Sequence, residues 1–190
     1  MMKMKTSRTA WWLAVILAAV VLGGVGLLGS SVRSYWIARY RGEKADLHSA
    51  LLIHAPLAGA FLVDANLRQA DLAGANLTKA ALSRADLQQA DLAGANLTNA
   101  GFDGSNLSGA DLAGANLIET TFDGAKMLGA NLSGAIFSRT HLILADLQEA
   151  NLRQADLRST FLLHADLRGA DLTNANLNGA RYDARVRLAT

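Results

Sequence analysis

The chain has 190 residues, no cysteine and a formal net charge of +2. This length suits one folded body with an appendage, and the lack of cysteine excludes disulfide bonds and thiolate chemistry without deciding the redox compartment. The small net charge conceals an asymmetry. Residues 1–44 carry seven Lys or Arg against a single Glu, whereas residues 45–184 carry nine basic and 15 acidic residues, a net charge of −6.

Residues 10–32 contain no charged side chain and are almost wholly apolar. This stretch is long enough to span a hydrocarbon core of about 30 Å. The pattern predicts one transmembrane α-helix within an anchor segment, residues 1–32, flanked by aromatic interfacial residues. Those residues are Trp11, Trp12, Tyr35 and Trp36. A cleaved secretory signal is the alternative, because Lys3, Lys5 and Arg8 form a basic start, although no Ala-x-Ala cleavage site follows.

Residues 33–44 form a basic and aromatic segment after the apolar stretch. Its basic residues nearly balance those that precede the stretch, so the positive-inside rule separates the two orientations only weakly. A short basic tail before the first apolar segment usually stays inside. This favours a single-pass protein of a bacterial inner or thylakoid-type membrane, with the rest of the chain on the periplasmic or lumenal side.

A five-residue period begins at Ala45 and continues without insertion to Ala184. Every position divisible by five from 45 to 180 is small, with Ala in 24 of 28 cases, and the residue two positions later is Leu in 23 of 28. Between them lies Asp or Asn in 17 of 28 units. The small and the large residue of each unit are predicted to be buried, including Tyr182 in the last unit.

A period of five fits neither a helix nor a continuous strand. At about 100° per residue the leucines would scatter around a helix, and along a strand they would alternate between faces. A corner after each unit points every leucine inward, and four corners close a square of about 20 residues whose stacking buries one core. Glycines two residues after the leucine, such as Gly74 and Gly114, suit corners with positive φ, and Asp or Asn suits hydrogen bonds to the corner backbone.

Units such as Ala70-Asp71-Leu72-Ala73-Gly74 and Ala95-Asn96-Leu97-Thr98-Asn99 follow the motif A(D/N)LXX. Over residues 45–184 the chain therefore resembles the pentapeptide-repeat family. The resemblance implies an all-β solenoid, a right-handed quadrilateral β-helix of about seven coils, here preceded by the N-terminal transmembrane α-helix. Residues 185–190 form a tail too short for a cap helix, and its arginines are expected to discourage edge pairing.

Comparison of every twentieth residue gives four unequal sides. One side carries apolar residues in outward positions of the fifth and sixth coils, and such patches often mark partner surfaces. The predicted partner-binding residues are Ile143, Leu144, Phe161 and Leu163; coverage of this cluster by the C-terminal tail is the alternative. Another side is flat and acidic. Its residues Asp71, Asp91 and Asp111 form the alternative candidate for the partner-binding face. Corner hydrogen bonds are the other interpretation of these aspartates.

The first coil also has apolar residues in outward positions. They are Leu51, Ile53, Phe61 and Val63. Because a solenoid needs its open strand edge covered, residues 33–44 are predicted to cap this coil and to cover these side chains.

No catalytic, metal or cofactor site is predicted. The chain has no phosphate loop and no Ser-His-Asp set. Its four histidines lack metal-ligand spacing with a supporting carboxylate; they are His48, His54, His141 and His164. Direct binding of nucleic acid is not expected either, because the repeats are acidic rather than basic.

These features predict a non-enzymatic, membrane-anchored scaffold or protein-interaction module, as a peripheral subunit or assembly factor of a membrane complex. Its partners would be proteins, a homodimer included, and the membrane itself through residues 10–32. The resemblance also implies an alternative, an acidic DNA mimic that regulates DNA gyrase or another topoisomerase. A solenoid secreted after signal cleavage is a third hypothesis, with a mature start near residue 32.

Overall fold

The computed structural model describes residues 43–183 together with Tyr35, Ile37, Ala38, Arg187 and Leu188. Tyr35, Ile37 and Ala38 are helical. The predicted anchor or signal, residues 1–32, lies outside the described residues. Within the described part of the chain, no helix has both the length and the apolar character needed to cross a bilayer.

The five-residue unit has one local structure throughout. In a representative unit, Asn66 bridges to the neighbouring coils, Leu67 is buried, and the next two residues form a turn that ends at buried Ala70. The N–H of Ala70 donates to the carbonyl of Leu67 at 3.1 Å. The third turn residue, Gln69, has a φ of 56°, the positive value that a type II turn requires there.

Successive coils are joined by parallel bridges between residues twenty positions apart, from Asp46 with Asn66 to Phe161 with Arg181. Four units therefore close one coil, seven coils stack, and the predicted β-helix solenoid is confirmed. We number the coils from residue 45, and the sides of each coil by its four units. In the first coil the four sides are residues 45–49, 50–54, 55–59 and 60–64.

The two short strands lie at the C-terminal end of the stack. β1, Asp166–Leu167, pairs in parallel with β2, Arg187–Leu188, so that Asp166 is opposite Arg187. The tail pairs with the open edge through its backbone N–H and C=O groups, which arginine also supplies. That its arginines discourage edge pairing by other strands stays a prediction. β2 lies over the first side of the solenoid, whereas the apolar cluster lies on the fourth.

The core is continuous along the stack. The small residues from Ala45 to Ala170 and the large apolar residues from Leu47 to Leu167 are buried. On the fourth side the Phe102 and Phe122 rings stack with centroids 5.0 Å apart, as the twenty-residue spacing predicts. Burial of Tyr182 was predicted and is wrong: this side chain is 63% exposed, because the last coil has a neighbouring coil on only one side.

In the described units up to Gly179, the last residue of each turn has a left-handed backbone. Positive φ occurs at Lys44 and at the last residue of each of the 27 units from Ser49 to Gly179; 11 of these 28 residues are glycine and 17 are not. Glycine was therefore a sufficient signal for this geometry but not a necessary one. β-branched residues such as Ile53, Val63 and Ile118 occur at the preceding position, and none occurs at the left-handed one. Crowding at Cβ makes this backbone region costly for branched side chains.

Substitution of Gly114 isolates the backbone cost. Its φ is +63°, and a Cβ added there would meet no atom within 4 Å, so strain comes from the conformation rather than from a clash. We expect Gly114→Val to lower the free energy of unfolding by about 2 kcal/mol and Gly114→Asn by clearly less. Urea denaturation measures the series, and Ala113→Val, one residue earlier, is the matched control. Equal midpoints for the Val and Asn variants at residue 114 would contradict the left-handed assignment.

The Asp and Asn residues of the motif stabilise the corners. In all 17 units that carry one, its side-chain oxygen accepts a hydrogen bond from the N–H two residues later. The bond from Ala93 to Asp91, at 2.9 Å, is typical. These are Asx turns, which use the short polar side chain in place of a backbone acceptor. The interpretation of the ladder as corner hydrogen bonds is confirmed.

Candidate partner-binding site

The backbone ladder brings the apolar cluster together on the fourth side. Ile143 and Leu144 occupy the turn of the fifth coil, and Leu163 occupies the same turn of the sixth. The N–H of Leu144 donates to the carbonyl of Leu163 at 3.0 Å, which sets the two turns one coil apart. The cluster is thus assembled by the register of the coils, although its residues are distant in sequence.

Exposure within the cluster is uneven. Leu144 is 64% exposed, because its left-handed turn position, with a φ of 60°, lies on the outside of the corner. Ile143, Phe161 and Leu163 are half-buried. Leu144 is therefore the most accessible member, and a partner would meet it first.

Phe161 lies between two side chains of the same column. The ring of His141, one coil earlier, is 4.6 Å away between centroids, and the guanidinium carbon of Arg181, one coil later, is 5.4 Å from the Phe161 centroid. Arginine over a phenyl face is a favourable cation–π arrangement. His141 and Arg181 were not among the predicted site residues, although the twenty-residue spacing places both in the column of Phe161.

Two aspartates support the turns beneath the cluster. The N–H of Ile143 donates to a carboxylate oxygen of Asp123 at 2.9 Å, and the N–H of Asp123 donates in the same way to Asp103 at 3.1 Å. In the turn that contains Leu163, His164 Nδ1 is 2.8 Å from a carboxylate oxygen of Asp183 in the seventh coil. On the fourth side, the apolar residues of the fifth and sixth coils therefore lie between coils that carry carboxylates at the same turn.

The acidic face lies on the second side, as expected from the spacing. Asp71, Asp91 and Asp111 are half-buried and bridged in sequence, coil to coil. Each accepts its corner N–H bond, and none forms an ion pair with the described residues. The corner role accounts for these residue types, and partner binding at this face stays a prediction.

Elsewhere in the described part of the chain, six carboxylates are paired with arginines, between and within coils. Arg84 makes a bidentate contact with Asp64, at 2.7 and 2.8 Å, and this hydrogen bonding lowers the pKa of the Asp64 carboxyl. Hydrogen bonds from Thr173, followed by one from Arg153, lower the pKa of Asp171 to about 2. Both carboxylates remain ionised at neutral pH. Ion pairs of this kind therefore hold part of the charged surface together, and the apolar cluster has none of them.

The first coil departs from expectation. Tyr35 and Ala38 are buried against its core, so the described part of the predicted cap does cover the end of the stack. The prediction that the cap would also cover the outward apolar side chains is wrong, because Leu51, Ile53 and Phe61 remain exposed. The cap residues pack on the end of the coil, whereas these side chains point away from its sides.

The histidines do not form a common site. His54 Nδ1 is 3.3 Å from the carbonyl of Gly74, a position where a Cβ would collide with the ring. His141 packs against Phe161, and His164 lies beside Asp183. Among the described residues, no group of three or more His, Asp or Glu side chains could hold a metal ion.

The family model named Pentapeptide repeats matches this chain in eight copies, over residues 45–84, 80–117, 100–139 and 145–181. The chain is a member of the pentapeptide-repeat family. The match spans most of the coiled region, where the unit structure and the twenty-residue bridges follow the motif. A search of curated proteins found no match.

Solved structures include several proteins similar to this pentapeptide repeat protein. HetL, involved in heterocyst differentiation regulation in the cyanobacterium Nostoc sp. strain PCC 7120, is 36% identical over 73% of this chain and 70% of its own, with a TM-score of 0.37. Rfr23 from the cyanobacterium Cyanothece 51142 is 34% identical over 60% of this chain and 63% of its own, with a TM-score of 0.29. QnrB1, a plasmid-mediated fluoroquinolone resistance protein, is 20% identical over 74% of this chain and 79% of its own, with a TM-score of 0.34.

Proposed function

We propose that this pentapeptide repeat protein is a non-enzymatic scaffold held at a membrane by residues 10–32. Its solenoid presents the apolar cluster to a protein partner on the periplasmic or lumenal side, as a peripheral subunit or assembly factor of a membrane complex. The observation that carries the proposal is the 23-residue uncharged stretch that precedes the repeat domain, with only residues 33–44 between them.

The apolar cluster supports the interaction role. Leu144 is exposed and lies next to half-buried Ile143 and Leu163 on a solenoid whose other outward residues are mostly polar or small. An exposed aliphatic group beside a partly buried phenyl ring is typical of the centre of a protein interface. Rigid turns hold the cluster in place, so little conformational entropy would be lost when a partner binds.

Fractionation tests the anchor. We expect the full-length protein to remain with membranes after an alkaline carbonate wash, because removal of an apolar span from the bilayer is strongly unfavourable. A variant that lacks residues 1–32 should appear in the aqueous fraction as a folded solenoid. N-terminal sequencing of the membrane-bound protein should find residue 1 or 2 at its start.

Other results would favour the alternatives. A full-length protein that the carbonate wash releases would contradict the anchor and favour the DNA mimic, which must be free in the compartment that contains its topoisomerase. A mature protein that begins near Val32 and is found outside the membrane would indicate a secreted solenoid. A truncated protein that still resists the wash would show that the membrane contact lies in the repeats.

A further inference from the structure

The first coil carries its apolar residues on two opposite sides. Leu51 and Ile53, on the second side, are 43% and 41% exposed, and Phe61, on the fourth side, is 53% exposed. In every later coil the second-side position equivalent to Leu51 holds Asp or Asn, which makes the corner hydrogen bond. A leucine cannot accept that bond. On the second side, therefore, apolar surface replaces a stabilising corner contact only in the first coil.

The distribution of these residues limits what can cover them. A globular protein that docks on one side of a square rod does not reach the opposite side. A lipid surface into which the end of the rod sinks meets all its sides at once. The third side of the first coil is also compatible with contact to lipid, because Pro56, Ala58 and Gly59 leave it without a charged residue. The first side is polar, since it carries Asp46 and His48.

Chain length brings the same coil to the membrane. This step rests on the proposed anchor. Only Arg33 and Ser34 separate Val32, the last residue of the uncharged stretch, from Tyr35. The Cα atoms of Val32 and Tyr35 therefore lie within about 10 Å of each other even in an extended chain. Tyr35 is buried against the core of the first coil. The headgroup layer on each side of the hydrocarbon is about 5–8 Å thick, so the first coil is held at its level.

We propose that the first coil is embedded in the lipid headgroup region, where Leu51, Ile53 and Phe61 insert at the boundary with the acyl chains. Interfacial insertion of apolar side chains beside basic residues is how peripheral segments bind anionic lipid. Lys44 is exposed at the start of this coil, and Arg39 and Arg41 precede it in the sequence. The remaining coils would then project from the membrane and carry the apolar cluster away from it.

The absence of cysteine permits a direct test in the full-length protein. Phe61→Cys and Ile53→Cys report on the two sides of the first coil, and Leu144→Cys, four coils further along the fourth side, is the control at a distance of about 19 Å. Each variant is spin-labelled and reconstituted in vesicles of phosphatidylcholine and phosphatidylglycerol. Collision with oxygen, which concentrates in lipid, is compared with collision with an aqueous nickel complex.

We expect the ratio of oxygen to nickel collision to be several-fold higher at residues 53 and 61 than at residue 144. Aqueous ratios at all three sites, in protein that resists the carbonate wash, would overturn the embedded coil and leave the anchor intact. A lipid-like ratio on one side only would overturn it too, since an embedded end requires both. Protein that the wash releases from the vesicles would overturn the anchor, and the embedded coil with it.

Discussion

Leu112→Asp is expected to abolish the cooperative unfolding transition of the solenoid. Leu112 is fully buried in the fourth of seven coils, and neighbouring coils close the core on both sides of it. Loss of a buried leucine alone costs about 2–5 kcal/mol, and an unpaired buried carboxylate adds several more. A domain of this kind has only about 5–15 kcal/mol of stability to lose. Thermal circular dichroism in detergent measures the transition.

The same substitution at an exposed leucine is the control. Leu128 is 44% exposed on the first side of the fifth coil, so Leu128→Asp places its charge in water and should melt close to the parent. A Leu112→Asp protein that melts within a few degrees of the parent would contradict the assignment of inward and outward positions.

Phe161→Asp combined with Leu163→Ser is expected to preserve the fold and to abolish co-purification of the partner, or of a second, differently tagged copy. Asp is the commonest residue at the motif position that Phe161 occupies, and a carboxylate there would lie beside Arg181. Folding should therefore tolerate the change, whereas an apolar interface would not. Circular dichroism checks the fold, and affinity purification from solubilised membranes followed by mass spectrometry checks the partner.

The fifth coil offers a matched control on other sides. Ile136 and Leu128 occupy the same two motif positions as Phe161 and Leu163, and both are exposed. Ile136→Asp combined with Leu128→Ser should leave the partner bound. Unchanged co-purification with the Phe161 and Leu163 variant would exclude the cluster and direct attention to the face of Asp71, Asp91 and Asp111.

The sequence predicted where the residues of the candidate site lie on the solenoid, but not which side chains surround them. The spacing placed Leu144 and Leu163 on adjacent coils of one side, because the register repeats every 20 residues. It did not show that Phe161 would be half-covered by His141 and Arg181, since those contacts depend on side-chain directions within the column. The exposure of each member therefore had to come from the structure.

The repeat region was determined by the sequence alone, because each unit contacts copies of itself one coil away. Alanine and leucine at fixed positions specify the buried side of every corner, and Asp or Asn specifies its hydrogen bond, so local rules repeat without conflict. Tertiary structure decided the conformation at the ends of the stack, where a unit no longer has a copy of itself on both sides. The exposure of Tyr182, the pairing of β2 with β1, and the exposed Leu51 and Phe61 all belong to the end coils, which have a neighbour on one side only. Tertiary structure also decided the left-handed turns at 17 non-glycine residues. Local preference would not select this backbone conformation, and the stacked coils impose it.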